Sequence, residues 1–208
     1  MINDLIKRYP ELCSLKSNIE DAVAEVIRCY ESGGKLLLCG NGGSSADCDH
    51  IVGELMKGFI KKRPLSESIR EDMKKRFSPL DDEILDKLQG GLPAVSLTSQ
   101  TALTSAFIND VDASLVFSQE VLALGKKNDI LICISTSGNS KNIINAAQVA
   151  RSLGLTVISL TGEGGGKLGD ISNVSIAVPR TETYLVQELH LPIYHYICAA
   201  VEEHFFKI

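Results

Sequence analysis

The sequence predicts an α/β domain, a sheet of five parallel strands with helices on both faces. Three observations carry that expectation. Five short apolar runs recur along the 208 residues, helix-compatible stretches lie between them, and two of the runs end in loops rich in glycine and hydroxyl side chains. Parallel strands need crossover connections, and the helices that supply them cover the sheet, so its strands read as continuous apolar runs. Ligands in such sheets bind at the carboxyl ends of the strands.

In chain order, residues 18–32 place Ile19, Val23, Val26, Ile27 and Tyr30 at helical spacing and stop at Gly33-Gly34. "KLLLCG" (35–40) is the first strand. "PAVSLT" (93–98), "DILICIS" (129–135), "TVISLTG" (156–162) and "VSIAVP" (174–179) are the other four. Segments 45–60, 100–107, 114–124, 139–153 and 183–205 read as the intervening and terminal helices. One stretch breaks the rhythm. Residues 61–91 are dense in charge, with turn signals at Ser78-Pro79 and Gly90-Gly91, and predict an inserted helical hairpin. A solvated decoration is the favoured reading of it, and a lid over the ligand end of the sheet the competing one.

Composition bounds the function. Hydrophobic residues at 44% and charged residues at 23% fit one globular domain spanning 1–208. A net charge of -5 argues against a broad surface for nucleic acid or anionic membrane. No apolar run reaches membrane-spanning length and the N-terminus lacks the build of a signal peptide, so a cytoplasmic location is expected. Six cysteines without a CxxC pair read as reduced, mostly buried thiols.

Two loops hold the chemistry. In "CGNGGSSADCDH" (39–50), Asn41, Gly42, Gly43 and Ser44 let the backbone turn close to a ligand, and Ser44 or Ser45 is expected to cap the next helix. Such a helix start favours anions. A dinucleotide fingerprint is excluded because position 45 is serine, and a Walker loop because no Gly-Lys precedes a hydroxyl residue. In "CISTSGNS" (133–140), Ser135, Thr136, Ser137 and Ser140 offer four hydroxyls around Gly138. A phosphate monoester accepts many such bonds at once. The competing reading, serines that cap a helix and fill a turn, carries about equal weight for one loop taken alone; the second Gly/Ser loop at the same sheet edge favours phosphate.

Acid–base candidates are few. Of four histidines, His50 shares a helix face with Glu54 at i, i+4. Gln187 and His195, eight residues apart, differ by roughly 12 Å of rise and about 80° of rotation on one helix. They cannot touch side by side but can reach a common ligand from its two ends. Pro192 between them is expected to bend that helix. His190 reads as a core or interface histidine and His204 as solvated.

"CGNGGSSADCDHIVGEL", "ISTSGNSKN" and "VQELHLPIYH", in this order and on these elements, resemble the sugar isomerase (SIS) domain and, within it, the phosphoheptose isomerases. The resemblance implies a three-layer αβα sandwich around a five-stranded parallel sheet of flavodoxin-like order. It implies a homotetramer with active sites at subunit interfaces, and interconversion of sedoheptulose 7-phosphate with D-glycero-D-manno-heptose 7-phosphate through an enediolate. Carried onto this chain, Glu54 and His195 act as base and acid. Asn41, Gly42, Gly43, Ser44, Ser135, Thr136, Ser137, Ser140 and Gln187 bind substrate, and His50, Glu54, Gln187 and His195 are the zinc ligands of metal-binding members. The two roles of Glu54 and His195 conflict: either the metal shifts during turnover, or it polarises the carbonyl while another group moves the proton. Two positions depart from the family pattern, Ser99 where an aspartate is common and Tyr184 where Asp or Thr is, and Glu182 or Thr183 can compensate for the latter. The runner-up function is a non-catalytic sugar-phosphate-binding protein that serves as regulator or assembly factor, for instance in replication initiation. Retention of Glu54 and His195 favours the enzyme. Glutamine-dependent amidotransfer is excluded for want of an N-terminal cysteine nucleophile.

Overall fold

A computed structural model describes residues 1–206. Five parallel strands, β1 (Leu36–Gly40), β2 (Ala94–Ser96), β3 (Ile130–Ser135), β4 (Thr156–Thr161) and β5 (Val174–Ala177), form one sheet in the order β2-β1-β3-β4-β5. The register sets Cys39 beside Cys133 and Ser135 beside Thr161. The chain leaves β1 toward one edge to build β2, and returns to the other side of β1 to build β3. The loops that follow β1 and β3 therefore part from each other, and their divergence opens a crevice at the carboxyl edge of the sheet.

Alternation along the strands divides the core in two. Leu36, Leu38, Ile130, Ile132 and Ile134 pack beneath α1 (Ile2–Arg8), α2 (Lys16–Glu31), α3 (Gly43–Met56) and the last helix, while Leu37, Cys39, Leu131 and Cys133 face the opposite cluster. Each fully buried aliphatic side chain contributes roughly 1.5–3 kcal/mol relative to exposure, which makes this two-sided burial the main force fixing the register. The 61–91 segment is a helical hairpin of α4 (Glu67–Arg76) and α5 (Asp82–Lys87), closed at its base by a bridge between Pro64 and Gln89. Ser66 and Asp81 cap its two helices, through the N–H groups of Ile69 and Glu83. The reading of the whole stretch as solvated needs correction at two places: Arg63 at its root is 1% exposed, and Leu85 in α5 is fully buried.

Beyond the hairpin come α6 (Thr101–Asp110), α7 (Val116–Leu124), α8 (Lys141–Ser152), α9 (Gly166–Ile171) and α10 (Thr183–Phe205). Helix α1, the 3-10 turn Pro10–Leu15 and α9 have no counterpart in the sequence reading. Strand β2 is only three residues long, because Leu97–Ser99 turn into a 3-10 helix. Helix α3 starts at Gly43 with Gly42 as its N-cap, so neither Ser44 nor Ser45 caps it; Ser44 is buried in the first turn. Pro192 does not interrupt α10, whose buried stripe of Val186, Leu189, Ile193, Ile197 and Val201 holds it to the sheet on both sides of the missing bond. Among the described residues, no helix is long and apolar enough to cross a membrane.

Candidate active site

The crevice between the β1 and β3 loops is a cleft of about 260 Å³ lined by Asn41, Gly42, Gly43, Ser44, Ile134, Ser135, Thr136, Ser140, Thr183 and Gln187. Two amides tie its walls together: Asn41 and Asn142 exchange hydrogen bonds of 3.0 and 2.9 Å across 101 residues of chain. Ser140 stands at the N-cap of α8 without making the side-chain cap bond, and its Oγ instead accepts from Ser135 Oγ at 3.2 Å. Capping therefore does not account for these hydroxyls. Ser137 is exposed and outside the cleft lining; its Oγ accepts from the Asn139 N–H at 3.1 Å. Gly138 sits at φ +62°, and a methyl group there would come within 2.0 Å of the Gly165 carbonyl oxygen, so the turn admits only glycine. Gln187 reaches in from α10, its Nε2 2.6 Å from where a side chain on Gly43 would begin.

The same two helices carry a second group of side chains. From Gly43 at the cleft, α3 runs past Asp47 and His50 to Glu54, and α10 runs from Gln187 to His195. His50 Nε2 lies 3.3 Å from Glu54 Oε1 and 3.5 Å from His195 Nε2. Lys57 Nζ stands 3.5 Å from the other Glu54 oxygen. Burial and the neighbouring His50, against the pull of Glu54, hold the His195 imidazole below its ordinary value. Three of the four expected metal ligands are thus brought together, and Gln187 is not among them. The 12 Å of helix between positions 187 and 195 leaves it in the cleft.

Among the described residues no three His, Cys, Asp or Glu side chains form a preformed metal cage. The donor chemistry nonetheless suits zinc. Ligands of a tetrahedral zinc lie about 3.3 Å from one another, and the two separations that meet at His50 Nε2 are of that size.

Sequence reasoning missed several participants. Tyr194 Oη lies 3.1 Å from His50 Nδ1 and donates to Asp47 Oδ1 at 3.1 Å. Arg63 donates to the Glu54 and Leu55 carbonyls at the end of α3, and to Glu202. The i, i+3 spacing of Asp47 and His50 was the only local signal of the first set. At the carboxyl end of β2, Ser99 Oγ donates to Asp49 at 2.8 Å, so α3 supplies a carboxylate beside that serine. Thr183 lines the cleft, whereas Tyr184 is exposed and Glu182 accepts from Thr181 instead. His190 is fully buried against the Thr161 carbonyl, and His204 pairs with Glu31 at the surface.

Comparison with known proteins gives a consistent result. The SIS domain family profile matches residues 2–89 and 88–162. The phosphoheptose isomerase of Helicobacter pylori (strain P12) is 35% identical over 99% of this chain and 98% of its own, and that of Methylibium petroleiphilum is 38% identical over 90% and 82%. The solved phosphoheptose isomerase of Neisseria gonorrhoeae superposes with a TM-score of 0.76 at 31% identity, covering 97% of this chain and 94% of that one.

Proposed function

This chain belongs to the phosphoheptose isomerases of the SIS domain family, and from that footing we propose that it interconverts sedoheptulose 7-phosphate and D-glycero-D-manno-heptose 7-phosphate. The observation that carries the reading is the pairing on α3 and α10 of a hydroxyl- and amide-lined cleft with a Glu–His cluster a few helical turns away. The cleft takes the phosphate; its loop glycines bring backbone close, and Ser135, Thr136, Ser140 and Gln187 offer donors. Toward the other end of the sugar, Glu54 takes the proton from C1 of the ketose and returns it to C2, while His195 moves the hydroxyl proton between O1 and O2. An enediolate forms and collapses as the carbonyl π bond moves from C2 to C1, and no σ bond to carbon other than C–H is made or broken. His50, Glu54 and His195 are the residues that would hold zinc, which when bound supplies Lewis-acid stabilisation of the enediolate oxygen.

A homotetramer with shared sites fits the surface. Helix α6 has no buried residue in the single chain although it carries Leu103, Phe107 and Ile108, and Tyr184 and Leu191 on α10 are exposed as well. Exposed apolar side chains of this kind give a further subunit a surface to cover.

Sedoheptulose 7-phosphate incubated in D₂O tests the reaction. Solvent deuterium is expected at C2 of the aldose product, and ketose 5- and 6-phosphates are expected to exchange more slowly. No incorporation from the 7-phosphate, with or without added zinc, overturns the proposal. Gly43→Ala tests the cleft: the new methyl displaces the flexible Gln187 amide and leaves the backbone intact, so KM rises about tenfold with an unchanged Tm. An unchanged KM removes Gln187 from substrate binding.

A further inference from the structure

His50 carries a hydrogen-bond pattern that fixes its tautomer. The Asp47 carboxylate only accepts, so Tyr194 Oη–H must point at it. With its one proton committed, the phenol oxygen can only accept from His50, and the atom facing it at 3.1 Å is Nδ1. Tyr194 is 2% exposed, so the phenol is held among protein groups, while His50 stays open to solvent on its other side. A neutral His50 bonded in this way has its proton on Nδ1 and a bare lone pair on Nε2, which faces a carboxylate oxygen at 3.3 Å and a second imidazole nitrogen at 3.5 Å. That lone pair can accept from a His195 Nε2–H or hold a cation, but it cannot donate to Glu54.

We infer that Tyr194 and Asp47 are positioning residues: the phenol, aimed by the carboxylate, locks the His50 proton onto Nδ1 and turns a bare Nε2 toward Glu54 and His195. The catalytic consequence rests on the proposed isomerase reading; the tautomer does not. The pair spans 147 residues of sequence and joins α3 to α10, so it also fixes the ring plane of His50 relative to His195, whose ring meets it edge-on with centroids 5.0 Å apart. Partners of this kind outside the ligand set hold a histidine ready for a cation, and their loss typically lowers metal affinity or activity about 10- to 100-fold.

Nitrogen-15 NMR of the histidine-labelled, metal-free protein at pH 8 reads the tautomer directly. With four histidines the spectrum is assignable, His50→Gln identifying the relevant signals. His50 is expected as the Nδ1–H form. His190, whose Nε2 lies 3.2 Å from the Thr161 carbonyl oxygen, gives the opposite pattern and serves as internal reference. In Tyr194→Phe the His50 signals move toward the Nε2–H form, zinc affinity measured by chelator competition falls about 10- to 100-fold, and kcat falls similarly with KM within twofold. Asp47→Asn keeps an oxygen for the phenol to donate to and retains the wild-type tautomer; Asp47→Ala does not. A wild-type His50 carrying its proton on Nε2 overturns the inference, and so does a Tyr194→Phe protein with unchanged tautomer and zinc affinity. If the tautomer is present and lost in Tyr194→Phe while the protein turns over no heptose phosphate, the proposed function fails and this inference stands. Turnover with a Tyr194→Phe spectrum identical to wild type is the reverse case.

Discussion

Glu54→Gln is expected to reduce kcat for sedoheptulose 7-phosphate by about 10²- to 10⁴-fold, the contribution of a well-placed general acid or base. The substitution is nearly isosteric, so it leaves the i, i+4 neighbour His50 in place but removes the oxygen that can accept a proton. His195→Asn is expected to cost a similar factor. Neither residue lines the cleft proposed for the phosphate, so KM is expected to change little and the loss to appear in kcat. Because the two act on one proton inventory, the double variant loses much less than the product of the single losses. Steady-state kinetics on the three proteins settle the matter, and a loss of less than tenfold in both single variants removes the pair from the chemistry.

Much of this site was legible from the sequence because its signals are local. A five- or six-residue apolar run that ends in Gly or Ser marks a buried strand and its ligand-facing loop together, so β1 and β3 and the residues Asn41, Gly42, Gly43, Ser44, Ser135, Thr136 and Ser140 came out in one step. The contact between His50 and Glu54 follows from the helical repeat alone. Where local rules misled, packing was the cause. Ser44 looked like a cap, but the helix begins a residue earlier and buries it; α9 was invisible because glycines at 164–166 and 169 give no periodicity to read. The ligand set implied by resemblance put Gln187 with His195, and an unbroken α10 keeps them apart within the chain. Tyr194, Asp47, Arg63 and Glu202 escaped because their pairings cross 139 to 147 residues and leave no trace in spacing.

The buried pair of Arg63 and Glu202 carries the second large effect. Both side chains are 1% exposed or less, with Nε 2.7 Å from Oε1. Glu202 also accepts the N–H groups of Phe59, Ile60 and Lys61, and Arg63 closes the carbonyls of Leu55 and Glu54 where α3 ends. Removing one member leaves an uncompensated buried charge, so Arg63→Met and Glu202→Leu are each expected to destabilise the protein by about 3–5 kcal/mol in urea unfolding at pH 7. The double variant is less affected than either single one, since replacing both charges by apolar groups restores consistency. A single-variant loss below about 1 kcal/mol contradicts this account.

Acid supplies an independent check on the same pair. Burial pushes the Glu202 carboxyl up, but the three N–H groups and the guanidinium outweigh it and hold the group below its ordinary value. A depressed carboxyl stabilises the fold above the unfolded-state value of about 4.3, and that contribution is lost as pH falls through the folded value. The stability gap between wild type and Glu202→Gln should therefore be widest near neutrality and narrow below about pH 4. A gap independent of pH would show that the three N–H groups and Arg63 do not favour the ionised carboxylate over its protonated form. Since the segment these bonds hold includes Phe59, whose ring lies 5.4 Å from that of His195, and starts one turn after Glu54, partial acid loosening should reduce turnover before it unfolds the sheet. Loss of activity that tracks global unfolding at every pH would detach the pair from the site and leave it a purely structural clamp.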